Sequence, residues 1–292
     1  MTETEMPDVG TSAPRRPIER STILITGATD GLGKEVATEL AKRGATVLVH
    51  GRDTRRIEAA LAEIREKTGN DRLRGYLADL SSLADVRRLA DQLRATEPRL
   101  EALVNNAGIG RSSGGRQHRE ESADGHELRF AVNYLAPFLL TQLLLPLLRD
   151  SAPARVVNVA SLGQAPIEFD DVMLEQEYEG ARAYARSKLA LIMFSLKLAE
   201  RLRDDEVTVN CLHPGTMMPT KIVLDASLPT VDALEHGVEA AVRLVAGPEV
   251  EGVTGRFFDG STEATADGQA YDRPSRERLW ELSESLVGVK AG

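Results

Sequence analysis

Beyond its first 20 residues, the sequence alternates short β-branched and apolar runs with longer amphipathic stretches. Such alternation predicts parallel strands joined by helices that cover both faces of one sheet. Strands are expected at Thr22–Thr26, Thr46–His50, Arg72–Ala78, Ala102–Asn105, Ala154–Ala160, Val207–Cys211 and Gly255–Phe258. Helices are expected at Gly33–Arg43, Thr54–Lys67, Leu83–Ala95, Gly125–Arg149, Arg182–Arg203 and Val231–Val245. The pattern therefore predicts an α/β protein with one doubly wound parallel sheet of about seven strands.

The alternation also defines the domain organisation. Residues 1–20 hold several acids and three prolines without an apolar core, so we expect a flexible tail rather than a secretory signal. No linker rich in Pro, Gly or Ser divides the remainder, and residues 21–292 are expected to form a single domain. That domain is expected to end in an added helix at Arg273–Val287.

Charge and cysteine content narrow the function classes. The chain has 45 acidic and 36 basic residues and a net charge of -9, which argues against nucleic acid or anionic lipid as the main partner. The lone cysteine, Cys211, excludes an internal disulfide and fits a reducing compartment. The five histidines show no paired metal-ligand spacing, so no metal site is expected.

The longest apolar run, Tyr134–Leu148, contains Pro137, Gln142 and Pro146. It is shorter than the roughly 20 apolar residues that a membrane span needs. We therefore expect a buried helix without a membrane span, and a cytoplasmic protein.

A glycine-rich turn follows the first predicted strand, in the order Thr26-Gly27-Ala28-Thr29-Asp30-Gly31-Leu32-Gly33. Gly27 permits a tight turn, Gly31 lets the backbone approach a phosphate, and Gly33 allows close packing of helix on strand. The helix that follows directs free N–H groups and its positive end at a pyrophosphate. In this position the turn predicts a dinucleotide-binding domain of the Rossmann type.

The spacing Thr-Gly-x-x-x-Gly-x-Gly resembles the cofactor loop of the short-chain dehydrogenase/reductase family, and the resemblance continues along nearly the whole chain past the tail. Asp79-Leu80 looks like the family's adenine-contacting pair, Asn105-Asn106-Ala107-Gly108 like its turn beside the cofactor, and Pro214-Gly215 like its nicotinamide loop. The long interval from Ser161 to Tyr184 and the segment from Thr254 to Trp280 are most similar to retinol dehydrogenases and WW-domain oxidoreductases. The cofactor contacts implied are Gly27, Thr29, Asp30, Gly31, Leu32, Gly33, Asp79, Leu80, Asn106, Ala107, Gly108, Tyr184, Lys188, Pro214, Gly215 and Thr216.

Tyr184 and Lys188 lie four residues apart in a predicted helix and therefore share one of its faces. One positive charge at about 5 Å from the phenol, at an effective dielectric of about 20, contributes roughly 3 kcal/mol, or about two pK units. We therefore expect a lowered pKa for Tyr184 and a role as general acid and base.

The resemblance implies two further catalytic residues, Ser161 and Asn133. Ser161 ends a strand, where ligands bind in α/β sheets, and would hold the substrate oxygen beside Tyr184. By itself it would be a serine that caps the following turn. The side chain or local backbone of Asn133 would hold a water that connects Lys188 to solvent, although a structural role in the core is the alternative.

Residues after the second strand predict the cofactor. NAD-preferring relatives commonly place a carboxylate near the position of Gly51, which glycine cannot supply, whereas Arg52 offers a forked cation for a 2′-phosphate. We therefore expect NADP(H) in preference to NADH. Asp53 is the competing ribose acceptor. Arg55 and Arg56 either assist Arg52 at the phosphate or, as the first expectation, lie on the surface of the next helix.

These residues together predict an NADP(H)-dependent oxidoreductase that interconverts a carbonyl and an alcohol. Apolar residues from Met217 to Leu224 suggest a hydrophobic small-molecule substrate. The alternative is a non-catalytic NADP-binding protein that senses redox state on the same fold. The resemblance also implies a dimer or tetramer through the helices that hold Asn133 and Tyr184, although the extended C-terminal segment would block some of those contacts.

Overall fold

The computed structural model describes residues 15–111, 118–203 and 205–289. Its strands are β1 Thr22–Ile25, β2 Thr46–Gly51, β3 Leu73–Leu77, β4 Ala102–Asn105, β5 Ala154–Val159, β6 Val207–His213, β7 Arg256–Asp259 and β8 Thr262–Ala264. They form one sheet in the order β3-β2-β1-β4-β5-β6-β7-β8. All neighbouring pairs are parallel except β7 and β8, which are antiparallel.

Helices cover both faces of this sheet. They are α1 Gly31–Lys42, α2 Thr54–Thr68, α3 Leu83–Thr96, α4 Leu128–Asp150, α5 Gly180–Arg201, α6 Lys221–Leu224, α7 Leu234–Ala246 and α8 Arg273–Val287. One core packs α1, α2 and α7 against the sheet, and the other packs α3, α4, α5 and α8 against its opposite face. The doubly wound parallel sheet is therefore confirmed.

Strand β8 and the start of α1 both differ from the sequence prediction. The sheet has eight strands within the described residues, because β8 returns beside β7. Three residues are too few to show a strand periodicity, which is why β8 was not predicted. Helix α1 begins at Gly31 rather than at Gly33, because the side chain of Asp30 caps it by accepting a hydrogen bond from the Gly31 N–H.

Helix α4 is the predicted apolar helix. It begins at Leu128 rather than at Gly125 and contains a π-helical turn at Ala131–Leu135. Among the described residues it is the one helix long and apolar enough to cross a membrane, and 78% of that apolar window is buried inside the protein. Such burial is typical of a core helix of a globular domain.

The predicted C-terminal helix is α8, and it packs across α4 and α5 through aromatic rings. The ring centroid of Trp280 lies 5.1 Å from that of Phe138 and 5.9 Å from that of Phe194. The Tyr134 and Ser283 hydroxyls are 2.5 Å apart and hydrogen-bonded. Trp280 is 3% exposed, so α8 closes the core on this face.

Two segments of the sequence prediction lie partly outside the described residues. Residues 1–14 of the predicted tail and residues 112–117 of the loop Arg111–Ser122 belong to this group. Within the described part of the tail, Ile18–Arg20 forms a 3₁₀ turn and the Arg15 guanidinium donates a hydrogen bond to the Val245 carbonyl.

Replacing Trp280 with alanine is expected to lower the free energy of unfolding by about 3–5 kcal/mol, since it removes a buried ring and leaves a cavity. Urea denaturation measures the loss. Leu77→Ala is the control, because Leu77 is 53% exposed and its truncation should cost much less. Equal losses in the two variants would show that α8 does not close the core.

Candidate active site

The glycine-rich turn joins β1 to α1 in the backbone conformation that its glycines predict. Gly27 and Gly31 have positive φ angles of 65° and 51°, which side chains rarely adopt. A Cβ atom on Gly33 would lie 2.3 Å from Asn106 Nδ2 and 2.5 Å from the Gly27 carbonyl oxygen. Close packing therefore requires glycine at position 33.

Side chains that flank the turn hold it against the neighbouring strand β4. Thr26 Oγ1 accepts hydrogen bonds from the N–H groups of Asn106 and Ala107, each at 3.0 Å. Asn106 Nδ2 donates to the Thr26 carbonyl at 2.8 Å. The predicted cofactor residues Asn106, Ala107 and Gly108 therefore lie beside the glycine-rich turn.

His50 is a second support that the sequence did not reveal. The Gly27 N–H donates to His50 Nδ1 at 3.1 Å, so the ring proton lies on Nε2, which donates to the Ala78 carbonyl at 3.2 Å. Burial lowers the pKa of His50 to about 4. The neutral ring therefore connects the carboxyl ends of β1, β2 and β3 by hydrogen bonds. A single histidine in a strand gives no sequence signal for such a connection.

A cavity of about 1080 Å³ runs along the carboxyl ends of these strands. Most of the predicted site residues line one continuous space there. They are Gly27, Thr29, Asp30, Gly31, Leu32, Gly33, Arg52, Asp79, Leu80, Asn106, Ala107, Gly108, Ser161, Tyr184, Lys188, Pro214, Gly215 and Thr216. Asn133 does not line the cavity, although it contacts residues that do.

The β2 end of the cavity carries two arginines. Arg52 is exposed and makes no hydrogen bond or ion pair within the described parts of the chain, and Arg56, expected on the outer face of α2, also lines the cavity. Asp53 instead caps α2 by accepting a hydrogen bond from the Arg56 N–H at 2.9 Å. A Cβ atom on Gly51 would lie 2.6 Å from Thr29 Cγ2, so close packing as well as chemistry favours glycine there.

Asp30 forms ion pairs with two cations, Arg56 and Lys221, at the β2 end of the cavity. Its carboxylate lies 2.9 Å from Arg56 Nη2 and 3.4 Å from Lys221 Nζ, and these cations together with the Gly31 N–H hold the pKa of Asp30 below its usual value despite partial burial. Lys221 belongs to α6. The pairs therefore connect the glycine-rich turn to the segment after β6, but they are largely exposed and each contributes little stability.

Ser161, Tyr184 and Lys188 meet at the β5 end of the cavity. Ser161 follows β5, and its hydroxyl is hydrogen-bonded to that of Tyr184. Lys188 Nζ donates to the Val159 carbonyl at 2.8 Å and lies 5.8 Å from the centroid of the Tyr184 ring. A Cβ atom on Gly108 would lie 3.5 Å from Lys188 Nζ, so the β4 turn passes close to the ammonium group.

Burial shifts the pKa values of these groups in opposite directions. It lowers the pKa of Lys188 to about 8 and raises that of Tyr184, while the hydrogen bond with Ser161 offsets only part of the latter rise. The expectation of a net lowered pKa for Tyr184 is therefore wrong for the chain's own groups. That argument counted one cation and omitted the cost of burying a phenolate.

Asn133 lies in the π-helical turn of α4, and its side chain already has partners. Its Oδ1 accepts from the Ile109 N–H at 2.8 Å, and its Nδ2 donates to the Ile109 carbonyl at 3.1 Å and to Ser187 Oγ at 2.9 Å. The side chain thus joins the loop after β4 to α5. These contacts give the side chain the structural role that was the alternative, and a water held by the local backbone of Asn133 stays a prediction.

The remaining wall of the cavity is mainly apolar. It is formed by Ile109, Leu128, Val132, Leu162, Met217, Met218, Ile222, Val223 and Leu228. Arg111, Glu120 and Glu121 also line it. The buried guanidinium of Arg129 supports this wall, since it donates to the Gly110 carbonyl at 3.2 Å and lies 3.3 Å from Glu127.

Comparisons with known proteins agree with this geometry. A model of the short chain dehydrogenase family matches residues 21–227. The chain is 38% identical to retinol dehydrogenase 14 of Mus musculus over 92% of this chain and 86% of that protein. An uncharacterized protein from Mycobacterium paratuberculosis has a similar structure, with a TM-score of 0.76, 29% identity and coverage of 94% of this chain and 95% of that one. A short chain dehydrogenase from Shigella flexneri, complexed with NADP, has a TM-score of 0.66 and 29% identity, covering 82% of this chain and 96% of its own.

The low pKa of His50 predicts a dependence of stability on pH. The unfolded chain binds a proton below about pH 6.5 and the folded chain only near pH 4, so this contribution is complete above pH 6.5 and is lost as the pH falls. From pH 7 to pH 5 the loss should be about 2 kcal/mol. Urea denaturation of the wild type and of His50→Gln checks it, because the variant should lack that loss.

His236→Gln is the matched control, because His236 is exposed and should leave the pH dependence unchanged. At pH 7 His50→Gln should also be less stable by about 1–3 kcal/mol, since a buried polar group loses its partner. The same slope with pH in His50→Gln and wild type would contradict a buried neutral histidine.

Proposed function

The chain belongs to the short-chain dehydrogenase family, and from this premise we propose that it is an NADP(H)-dependent oxidoreductase. It interconverts a carbonyl and an alcohol by hydride transfer, with Tyr184 as general acid and base. The observation that carries the proposal is one cavity with the glycine-rich turn and Arg52 at one end and the Ser161, Tyr184 and Lys188 cluster at the other.

The residues present fit a dinucleotide. The cavity, at about 1080 Å³, is larger than most pockets for a single small ligand and therefore has room for a cofactor and a substrate together. The first turn of α1 presents backbone N–H groups without helical partners to this space. Asn106, Ala107 and Gly108 would line the path between the phosphates and the nicotinamide. When bound, the nicotinamide supplies or accepts the hydride.

Tyr184 transfers the proton that must accompany the hydride. Because burial raises the pKa of Tyr184, its hydroxyl is protonated at neutral pH and is ready to donate to the carbonyl oxygen of a substrate. In the reverse direction the phenolate accepts the alcohol proton, so oxidation should accelerate as the pH rises. Ser161 Oγ, hydrogen-bonded to Tyr184, would hold the same substrate oxygen.

Lys188 holds a positive charge behind this proton transfer. With a pKa of about 8 the amine is mainly protonated at neutral pH, and the Val159 carbonyl orients it. The ammonium opposes the cost of forming a buried phenolate at Tyr184. We place it against the nicotinamide ribose, and we place a water that connects it to solvent at the backbone of Asn133.

Arg52 supports the preference for NADP(H). Its guanidinium lines the cavity without a partner among the described residues, whereas Asp53, the competing ribose acceptor, caps α2. Arg56 is a second cation on the same side. A 2′-phosphate between these arginines would make charge-assisted hydrogen bonds. The NADP complex of the Shigella flexneri relative agrees with this assignment.

The apolar wall supports a hydrophobic ketone, aldehyde or alcohol as substrate, and the name of the Mus musculus relative is consistent with an alcohol of that class. A screen of hydrophobic aldehydes and ketones that follows NADPH absorbance tests it. We retain residues 21–292 as one catalytic domain and a cytoplasmic location as parts of the proposal. A homo-oligomer also remains a prediction, and α8 covers part of α4 and α5, the helices through which it would form.

A non-catalytic redox sensor is the second candidate. A sensor would bind the cofactor at the same end of the cavity. Only the end with Ser161, Tyr184 and Lys188 therefore distinguishes a sensor from an enzyme. Retention of Tyr184 beside Ser161 and Lys188 favours an enzyme, since a sensor needs no proton donor there. NADPH oxidation with any carbonyl compound would exclude the sensor.

Tyr184→Phe is expected to lower turnover by about 10²–10⁴-fold while NADPH affinity is unchanged, because the ring still packs but the transferable proton is lost. Steady-state rates and cofactor titration measure the two effects. Tyr76→Phe is the control, since it also removes a buried hydroxyl, one bonded to Thr96 outside the cavity. More than a tenth of wild-type activity in Tyr184→Phe would contradict the assignment.

Arg52→Ala is expected to weaken NADPH binding by about 10–150-fold and leave NADH almost unaffected, since charge-assisted hydrogen bonds contribute about 1.5–3 kcal/mol. Dissociation constants for both cofactors at fixed ionic strength measure the difference. Arg55→Ala is the control, because Arg55 lies close to Arg52 in the chain, in the first turn of α2, but does not line the cavity. An equal loss for both cofactors would mean that Arg52 only supports the loop.

A further inference from the structure

The segment between β5 and α5 carries Ser161 but contains no helix or strand in the described chain. Its backbone therefore lacks the regular hydrogen bonds that hold catalytic residues on strands and helices. Two glutamine side chains supply long-range hydrogen bonds instead, and both connect it to the C-terminal segment between β8 and α8. Neither glutamine belongs to the cofactor loop or to the catalytic cluster.

Gln164 connects the Ser161 backbone to the C-terminal segment. Its Nε2 donates to the Ser161 carbonyl at 2.9 Å, and its Oε1 accepts from the Asp267 N–H at 2.7 Å. The amide thus has a partner at each end. The backbone of Ser161 is held from one side by Gln164, while its hydroxyl contacts Tyr184 and accepts from the Gly163 N–H at 3.0 Å.

Gln269 contacts the same segment further along the chain, at Ile167. Its Oε1 accepts from the Ile167 N–H at 2.7 Å, and its Nε2 donates to the Ile167 carbonyl at 3.0 Å. One side chain therefore satisfies both backbone groups of Ile167, as a neighbouring strand would. Ile167 is 3% exposed and Ala270, beside Gln269, is fully buried, so the contact is anchored in the core.

The C-terminal segment is itself fixed to the catalytic helix. Arg276 Nη1 donates to the Ala270 carbonyl at 2.8 Å, and Arg276 Nη2 lies 2.5 Å from Glu200 on α5. The chain of contacts thus begins on α5, which carries Tyr184, passes through the C-terminal segment and returns to Ser161. This chain of contacts therefore connects the helix that carries Tyr184 to the backbone of Ser161.

We propose that Gln164 and Gln269 are positioning residues. They hold the segment between β5 and α5, here called the Ser161 loop, so that Ser161 keeps its position relative to Tyr184. The inference rests on the proposed function, in which Ser161 and Tyr184 hold one substrate oxygen. Small displacements matter here, because a misplacement of about 1 Å can cost about 100-fold in rate. The C-terminal segment therefore supports catalysis as well as the core.

The test compares Gln164→Glu, Gln164→Met and Gln269→Met with the wild type. Gln164→Glu keeps an acceptor for the Asp267 N–H but loses the donor to the Ser161 carbonyl, whereas Gln164→Met loses both. We expect kcat to fall by about 10- to 100-fold in each, with NADPH affinity unchanged. Gln92→Met is the control, because Gln92 is exposed on α3 and should leave every measurement unchanged.

A pH profile separates positioning from general stability. The hydrogen bond with Ser161 lowers the pKa of Tyr184, so loosening the Ser161 loop should move the apparent pKa for alcohol oxidation upward. A purely structural role would lower the melting temperature and leave that pKa in place. Hydrogen exchange of residues 161–169 adds a readout without turnover, and it should be faster in the three variants.

The outcomes separate this inference from the proposed function. If the wild type turns over a carbonyl and the variants show the same kcat and apparent pKa as the wild type, the positioning role is overturned and the proposed function is left intact. Unchanged exchange in residues 161–169 would overturn the tether itself. A wild-type chain that turns over no carbonyl would remove the proposed function and the positioning role together, and faster exchange would then identify the glutamines as structural.

Discussion

The site depends on how backbone groups find hydrogen-bond partners where the parallel strands β1, β2, β3 and β4 end. A strand that stops at a ligand cavity leaves N–H and C=O groups without a ladder partner, and burying them unpaired is costly. Thr26, His50 and Asn106 supply the missing partners with side chains. These bonds join the glycine-rich turn to β2, β3 and β4, and they leave the first turn of α1 open toward the cavity.

Burial sets the chemistry at the other end of the cavity. It disfavours charge on both Lys188 and Tyr184, so their pKa values move in opposite directions and the neutral phenol is favoured at neutral pH. This arrangement suits a proton donor more readily than a proton acceptor. In the proposed reaction the chain's own groups therefore favour reduction at neutral pH, and the charge of an oxidised nicotinamide would favour the reverse direction.

Helix α8 and the C-terminal segment before it support the end of the cavity that holds Ser161, Tyr184 and Lys188. Trp280 of α8 packs against aromatic rings of α4 and α5. In the C-terminal segment before α8, Gln269 is hydrogen-bonded to the irregular loop after β5. Helices α4 and α5 carry Asn133, Tyr184 and Lys188. A single packed unit therefore supports both the helices and the loop, which explains how a loop without regular structure can hold a serine beside Tyr184.

The resemblance to a known family implied most of the residues around the cavity, whereas the sequence by itself determined the doubly wound sheet, the glycine-rich turn and the shared helix face of Tyr184 and Lys188. These features are local, since strand and helix periods, positive φ at glycine and the i, i+4 spacing of Tyr184 and Lys188 depend on near neighbours in the chain. Parallel strands also end at one edge, so residues that follow them are brought together by topology alone.

Only the tertiary structure decided that the pKa of Tyr184 is raised, that Asp53 caps α2 and that Arg56 lines the cavity. The same holds for the hydrogen bonds of His50, Gln164 and Gln269. Each depends on burial or on a partner remote in sequence. Gln269 and Ile167 are about 100 residues apart in the chain, and no periodicity connects them. Desolvation and long-range hydrogen bonds arise from packing, which local patterns do not encode.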